Sequence, residues 1–91
     1  MAQADDRLDV LFHAVADPTR RRLIEALRER PGLTTAELAA SVRGMTRWGV
    51  MKHLDVLAAA GVIQTLPEGR RRRHYVELAN LAPLTGWLDS I

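Results

Sequence analysis

Four consecutive arginines, Arg70–Arg73, follow Gly69 and lead into the strand-like run His74-Tyr75-Val76-Glu77-Leu78. Side by side, four like charges repel; a partner carrying many negative charges removes that cost. Guanidinium groups suit phosphate because they are permanently charged, planar and able to bond it bidentately. A second group of residues lies in TRWGVMKH, residues 46–53. With successive residues about 100° apart on a helix, Val50, Leu54 and Leu57 turn inward, Trp48, Lys52 and Asp55 turn outward, and Met51 lies on the flank. Arg47 or Lys52 can donate to guanine O6 and N7, and the indole and thioether can lie against a thymine methyl. Thr46 and Thr34 open helices, where the positive end of the helix dipole favours a phosphate. His53 stands beside this face, within reach of a phosphate. The competing readings are a solvated charge run for the arginines and, for Trp48, packing against the preceding helix or the hairpin.

The charge distribution favours a polyanion. Formal net charge is +2, but residues 43–75 hold +5 and the remainder −3, so the positive charge is local. The chain has no cysteine, which removes disulfides, thiol catalysis and cysteine metal sites. No apolar run approaches membrane-spanning length, and MAQADDRLDV lacks a basic-then-apolar secretory pattern, so a cytoplasmic protein is expected. Ser41 and Ser90 are the only serines, and neither sits in a nucleophile elbow. There is no glycine-rich phosphate loop. The expectation is a non-enzyme without cofactors.

Ninety-one residues make one domain, residues 1–91. Residues 6–16 have Leu8, Leu11, Phe12 and Val15 at helical spacing, with Asp5 or Asp6 as the cap. Asp17-Pro18 starts a second helix, an acceptor followed by proline at the first helical position, and Arg30-Pro31-Gly32 stops it. Thr34 and Glu37 form a capping box for a third helix. The longest helix covers residues 46–60, with Gly61 at its C-terminal cap. VIQTL (62–66) and HYVEL (74–78) have strand character, and PEGRRRR between them is read as a turn. Asn80 caps a last short helix carrying Leu81, Leu84, Trp87, Leu88 and Ile91. The order predicts a mainly α chain with a small β-hairpin: a winged helix-turn-helix with a three-helix DNA-binding core and a wing.

The stretches ADPTRRRLIEAL (16–27), TTAELA (34–39), HLDVLAAAGVI (53–63) and EGRRRRHYVEL (68–78) together resemble the ArsR-type winged helix-turn-helix repressors over residues 8–91. The resemblance implies a homodimeric repressor that binds double-stranded DNA at a short inverted repeat near a promoter. It also implies that the first and last helices build the dimer. The apolar positions agree: Leu8, Leu11, Phe12, Leu81, Leu84, Trp87 and Leu88 exceed what a small core absorbs. Two departures stand out. Where many such proteins carry metal-binding cysteines on the third helix, this chain has Leu38, Ala39 and Ala40, and its last helix offers only Asp89; no metal site is expected. The turn VRGMTRW also looks about one residue longer than the common form.

The three histidines fall in different elements. His13 is expected to pair with Asp17, His53 to flank the DNA side, and His74 to lie at the base of the wing, each a surface or satisfied histidine and not a metal ligand. A protein-interaction module with Trp48 as an aromatic anchor, or a module for structured RNA, are the alternatives. The narrow, deep A-form major groove argues against the latter. Any small-molecule effector is left open by the sequence.

Overall fold

The computed structural model describes residues 2–91, with side chains from residue 7 onward. Five helices and one hairpin follow in order: α1 (Ala2–Val15), α2 (Pro18–Glu29), α3 (Thr35–Ser41), α4 (Arg47–Ala59), β1 (Ile63–Glu68), β2 (Arg71–Val76), a 3₁₀ turn (Leu78–Leu81) and α5 (Ala82–Asp89). This is the winged helix-turn-helix order. Among the described residues no helix is long and apolar enough to cross a membrane.

Local chemistry sets most of the boundaries. Asp17 caps α2, its Oδ2 accepting from the Arg20 backbone N–H at 3.0 Å, and Pro18 needs no partner at the first position. That hydrogen bond is the main reason the Asp17 carboxyl titrates below the ordinary carboxylate value. Gly61 closes α4 at φ 76°, with Val62 N–H donating to Leu57 O at 2.9 Å and Gly61 N–H to Ala58 O at 3.0 Å. These two bonds are the Schellman pair, and they need a residue that accepts left-handed φ.

Leu11, Leu23, Leu27, Leu38, Val50, Leu57 and Val62 are fully buried and form one core with Leu54 and Ile63. Burying each such side chain contributes about 1.5–3 kcal/mol, so the core depends on α1, α2, α3, α4 and the hairpin together.

Three expectations need correction. First, α1 runs from Ala2, so Asp5 and Asp6 lie within the helix and not at its start; their side chains lie outside the described residues. Second, the residues read as a long turn are mostly strand. Glu68 pairs with Arg71, Pro67 with Arg72 and Leu66 with Arg73, leaving only Gly69-Arg70 as the connection. Gly69, at φ 60°, supplies the first position of a tight two-residue hairpin turn. Pro67 fits a strand here for a geometric reason. The His74 N–H and C=O point away from β1, to Leu33 O and Gly32 N. Pairs two apart share this character, so Pro67, opposite Arg72, loses no ladder bond. Third, Asn80 does not cap α5, which begins at Ala82 after the 3₁₀ turn. Its amide donates to Gly61 O at 2.9 Å.

Candidate nucleic-acid interface

α3 opens with the expected capping box: Glu37 N–H donates to Thr34 Oγ1 at 3.2 Å, and Thr34 N–H to Glu37 Oε1 at 2.8 Å. The Thr34 backbone N–H is the leading reason that Glu37 titrates below its ordinary value. Thr34 is itself buried, its hydroxyl oxygen engaged by the cap, so it is poorly placed for a phosphate. Its half-buried neighbour Thr35 joins Nε2 of His74 at 2.8 Å.

α4 starts at Thr46, whose Oγ1 accepts from Gly49 N–H at 3.0 Å while the residue stays exposed. Val50, Leu54 and Leu57 pack inward. Trp48 is 63% exposed and so packs neither on the preceding helix nor on the wing. The Lys52 ammonium lies over its ring, 4.4 Å from the centroid. Such a contact fixes a long cationic side chain that otherwise samples many rotamers, and at an exposed site is worth about 0.5–1 kcal/mol. Met51 and Arg47 are also exposed.

Arg47 and Met51 share one groove, about 520 Å³, with the start of α3 and with Arg70, Arg71 and Arg72 of the hairpin. These three wing arginines are exposed and make no ion pair among the described residues. Arg73 differs from them. It is half-exposed, its Nε donates to Glu68 Oε1 at 2.9 Å and its Nη1 to Gly32 O at 2.9 Å. Its bonds to Glu68 and Gly32 hold this arginine against the α2–α3 connection, where it fastens the wing instead of extending the basic face.

His74 is 2% exposed and fully bonded, with Nε2 on Thr35 Oγ1 and Nδ1 on Thr65 Oγ1 at 2.9 Å. Burial, aided by the neighbouring positive Arg72, lowers its pKa below 6.5. The imidazole thus pins the hairpin to the start of α3.

His53 points elsewhere than expected. Its Nδ1 lies 3.2 Å from Arg20 Nη1, and since a guanidinium only donates, Nδ1 is the acceptor. Arg20 is 9% exposed, and it also donates from Nε to Ala14 O at 2.7 Å and from Nη2 to His13 O at 2.9 Å. The cation therefore satisfies the last carbonyls of α1 and braces α4. His13 is exposed, and its expected partner Asp17 is instead bonded to the Arg20 N–H.

On the opposite side, α1 meets α5 through Phe12 and Trp87, edge to face with centroids 5.3 Å apart. Phe12, Trp87 and Leu88 are exposed, as is Val10, while Leu8, Leu81 and Leu84 are half-buried. Leu11 has no exposed surface and belongs to the core, so it drops out of the apolar face. On α3, Leu38 is likewise a core residue, and Ala39 and Ala40 offer no donor atoms to a metal ion in their side chains.

Comparison with known proteins adds four findings. A helix-turn-helix domain family matches residues 15–65. The chain is 34% identical over 90 residues to the HTH-type transcriptional regulator YuzN of Bacillus subtilis (strain 168), covering 89% of this chain and 95% of that one. It is 37% identical over 81 residues to the HTH-type transcriptional regulator Rv2034 of Mycobacterium tuberculosis (strain ATCC 25618 / H37Rv), covering 89% and 74%. Among solved structures, an ArsR family transcriptional regulator, RHA00566, superposes with a TM-score of 0.86 at 34% identity, covering 94% of this chain and 87% of the other.

Proposed function

The chain belongs to the ArsR-type winged helix-turn-helix transcriptional regulators, which bind DNA, and on that premise we propose that it is a homodimeric repressor of a short inverted repeat in a promoter. In this reading Arg47, Trp48, Met51 and Lys52 meet base edges in the major groove. Thr46 and the arginines Arg70, Arg71 and Arg72 hold phosphates. Thr34, His53 and Arg73 support the interface from within the fold.

The observation that carries the assignment is the shared groove. Arg47 and Met51 from α4 and the exposed Arg70, Arg71 and Arg72 from the wing line one surface. A helix in the major groove and a wing along the adjoining backbone use such a surface together. Pairing of two copies is supported by the exposed Val10, Phe12, Trp87 and Leu88, apolar surface that a second copy would cover.

The test is fluorescence anisotropy on duplex from the region upstream of the coding sequence, with random duplex as competitor, followed by footprinting. Binding that survives the competitor, with protection symmetric about a two-fold centre, supports the reading. Binding no tighter than to random duplex contradicts it.

A further inference from the structure

We propose that Arg7, Asn80 and Arg20 are positioning residues that hold α4 at a set angle to the dimer-forming helices, and that through them the protein discriminates the spacing between half-sites. The inference rests on the dimer reading above.

Three polar ties join the α1/α5 unit to the recognition helix. Arg7 of α1 donates from Nη1 to Ala60 O at 3.1 Å. Asn80, in the turn leading into α5, donates from Nδ2 to Gly61 O at 2.9 Å. Both grip the C-terminal end of α4, where carbonyls lack helical partners and where the dipole favours a cation. The two donors close around Gly61: a Cβ there would lie in ordinary contact with both, 3.4 Å from Arg7 Nη2 and 3.5 Å from Asn80 Nδ2. The third tie acts midway along the helix, where Arg20 joins the C-terminal carbonyls of α1 to His53. Two ties at one end and one in the middle fix both the height and the tilt of α4 relative to α1.

That geometry matters for a two-fold reader. One added base pair moves a half-site about 3.4 Å along the duplex axis and turns it as well. A recognition helix free to tilt would follow the displaced half-site; a helix tied at two levels would not. Leu11 of α1 shares the core with Leu54 and Leu57 of α4, and the polar ties add direction to that non-directional packing.

The experiment uses Arg7→Leu combined with Asn80→Ala, and separately His53→Leu. The first pair alters only exposed residues. The second cuts the midway tie while leaving the Arg20 bonds to Ala14 and His13 in place, which avoids the folding risk of replacing a buried arginine. His53→Gln, which retains an acceptor, is the rescue variant. Affinity is measured on operators with one base pair added or removed between half-sites, and on a single half-site, with sedimentation confirming the dimer. The expected result is that the preference for native spacing falls by about fivefold or more, within the usual range of coupling between sites. Single half-site binding should stay unchanged in the Arg7→Leu/Asn80→Ala protein, and His53→Gln should restore part of the spacing preference that His53→Leu loses. Equal losses at every spacing, or an unaltered spacing profile in a protein that remains dimeric, overturn the inference. A wild-type protein that is monomeric on DNA and indifferent to spacing overturns the dimer reading and the inference with it.

Discussion

The ammonium of Lys52 rests on the exposed face of Trp48, 4.4 Å from the ring centroid, one helical turn further along α4. Neither residue belongs to the core, so their pairing orders an exposed surface and leaves the packing of α4 unaffected. Trp48→Ala should therefore change folding stability by no more than about 1 kcal/mol. Its effect on DNA should be larger, because Lys52 loses its support and the base-facing surface loses the indole. Thermal melts and operator anisotropy on the same variant check this; a large stability loss would mean that Trp48 packs.

The wing arginines separate into two roles. Arg71→Ala should lower the slope of log affinity against log salt by about 0.9, the release expected for one phosphate contact. Arg73→Ala should leave that slope nearly unchanged but lower the melting temperature, because the Glu68 and Gly32 bonds hold the hairpin in place. Salt titrations and melts on the two variants distinguish these outcomes.

His74 predicts a pH dependence of stability. Its folded pKa lies below the ordinary 6.5, so the unfolded chain takes up a proton first as pH falls. The contribution of this histidine is fully present above the unfolded value and is lost as pH falls toward the lowered folded value. Asp17 and Glu37 have depressed carboxyl values, so the stability they contribute is lost at still lower pH. Melts between about pH 8 and pH 5 should show a decline that His74→Asn reduces.

Gly61→Ala places a Cβ on a residue at φ 76°. The left-handed backbone alone should cost about 1–2 kcal/mol. Chemical denaturation measures this loss, and an unchanged midpoint would mean that the cap relaxes without strain.

Features encoded within a few residues were legible in the sequence. Asp17-Pro18, the Thr34–Glu37 box and Gly61 each announce a helix boundary through a bond three to five residues away, and each stands where expected. The inward Val50, Leu54 and Leu57 followed from helical periodicity in the same way. The hairpin was legible as a hairpin but not in its extent, because a run of arginines resembles a loop until the two-residue turn draws it into pairing.

The polar braces were illegible for the opposite reason. Arg20 meets His53 across 33 residues, Thr35 meets His74 across 39, and Arg73 meets Gly32 across 41. No local period carries such contacts. Arg20 in particular sits among three adjacent arginines, where nothing in the spacing marks one as buried. The same blindness hid the bond from His53 to Arg20 and the burial of Leu11 in the core.

The central claim is that α4 reads bases while the wing holds phosphates. The most direct measurement compares operator and random duplex by anisotropy for the wild type, Lys52→Ala and Arg71→Ala at one salt concentration. Lys52→Ala should erode discrimination by about 1–3 kcal/mol while weakening random binding little. Arg71→Ala should weaken both duplexes about equally. If Arg71→Ala instead altered sequence preference and Lys52→Ala weakened both duplexes alike, the roles assigned to the two elements would be contradicted.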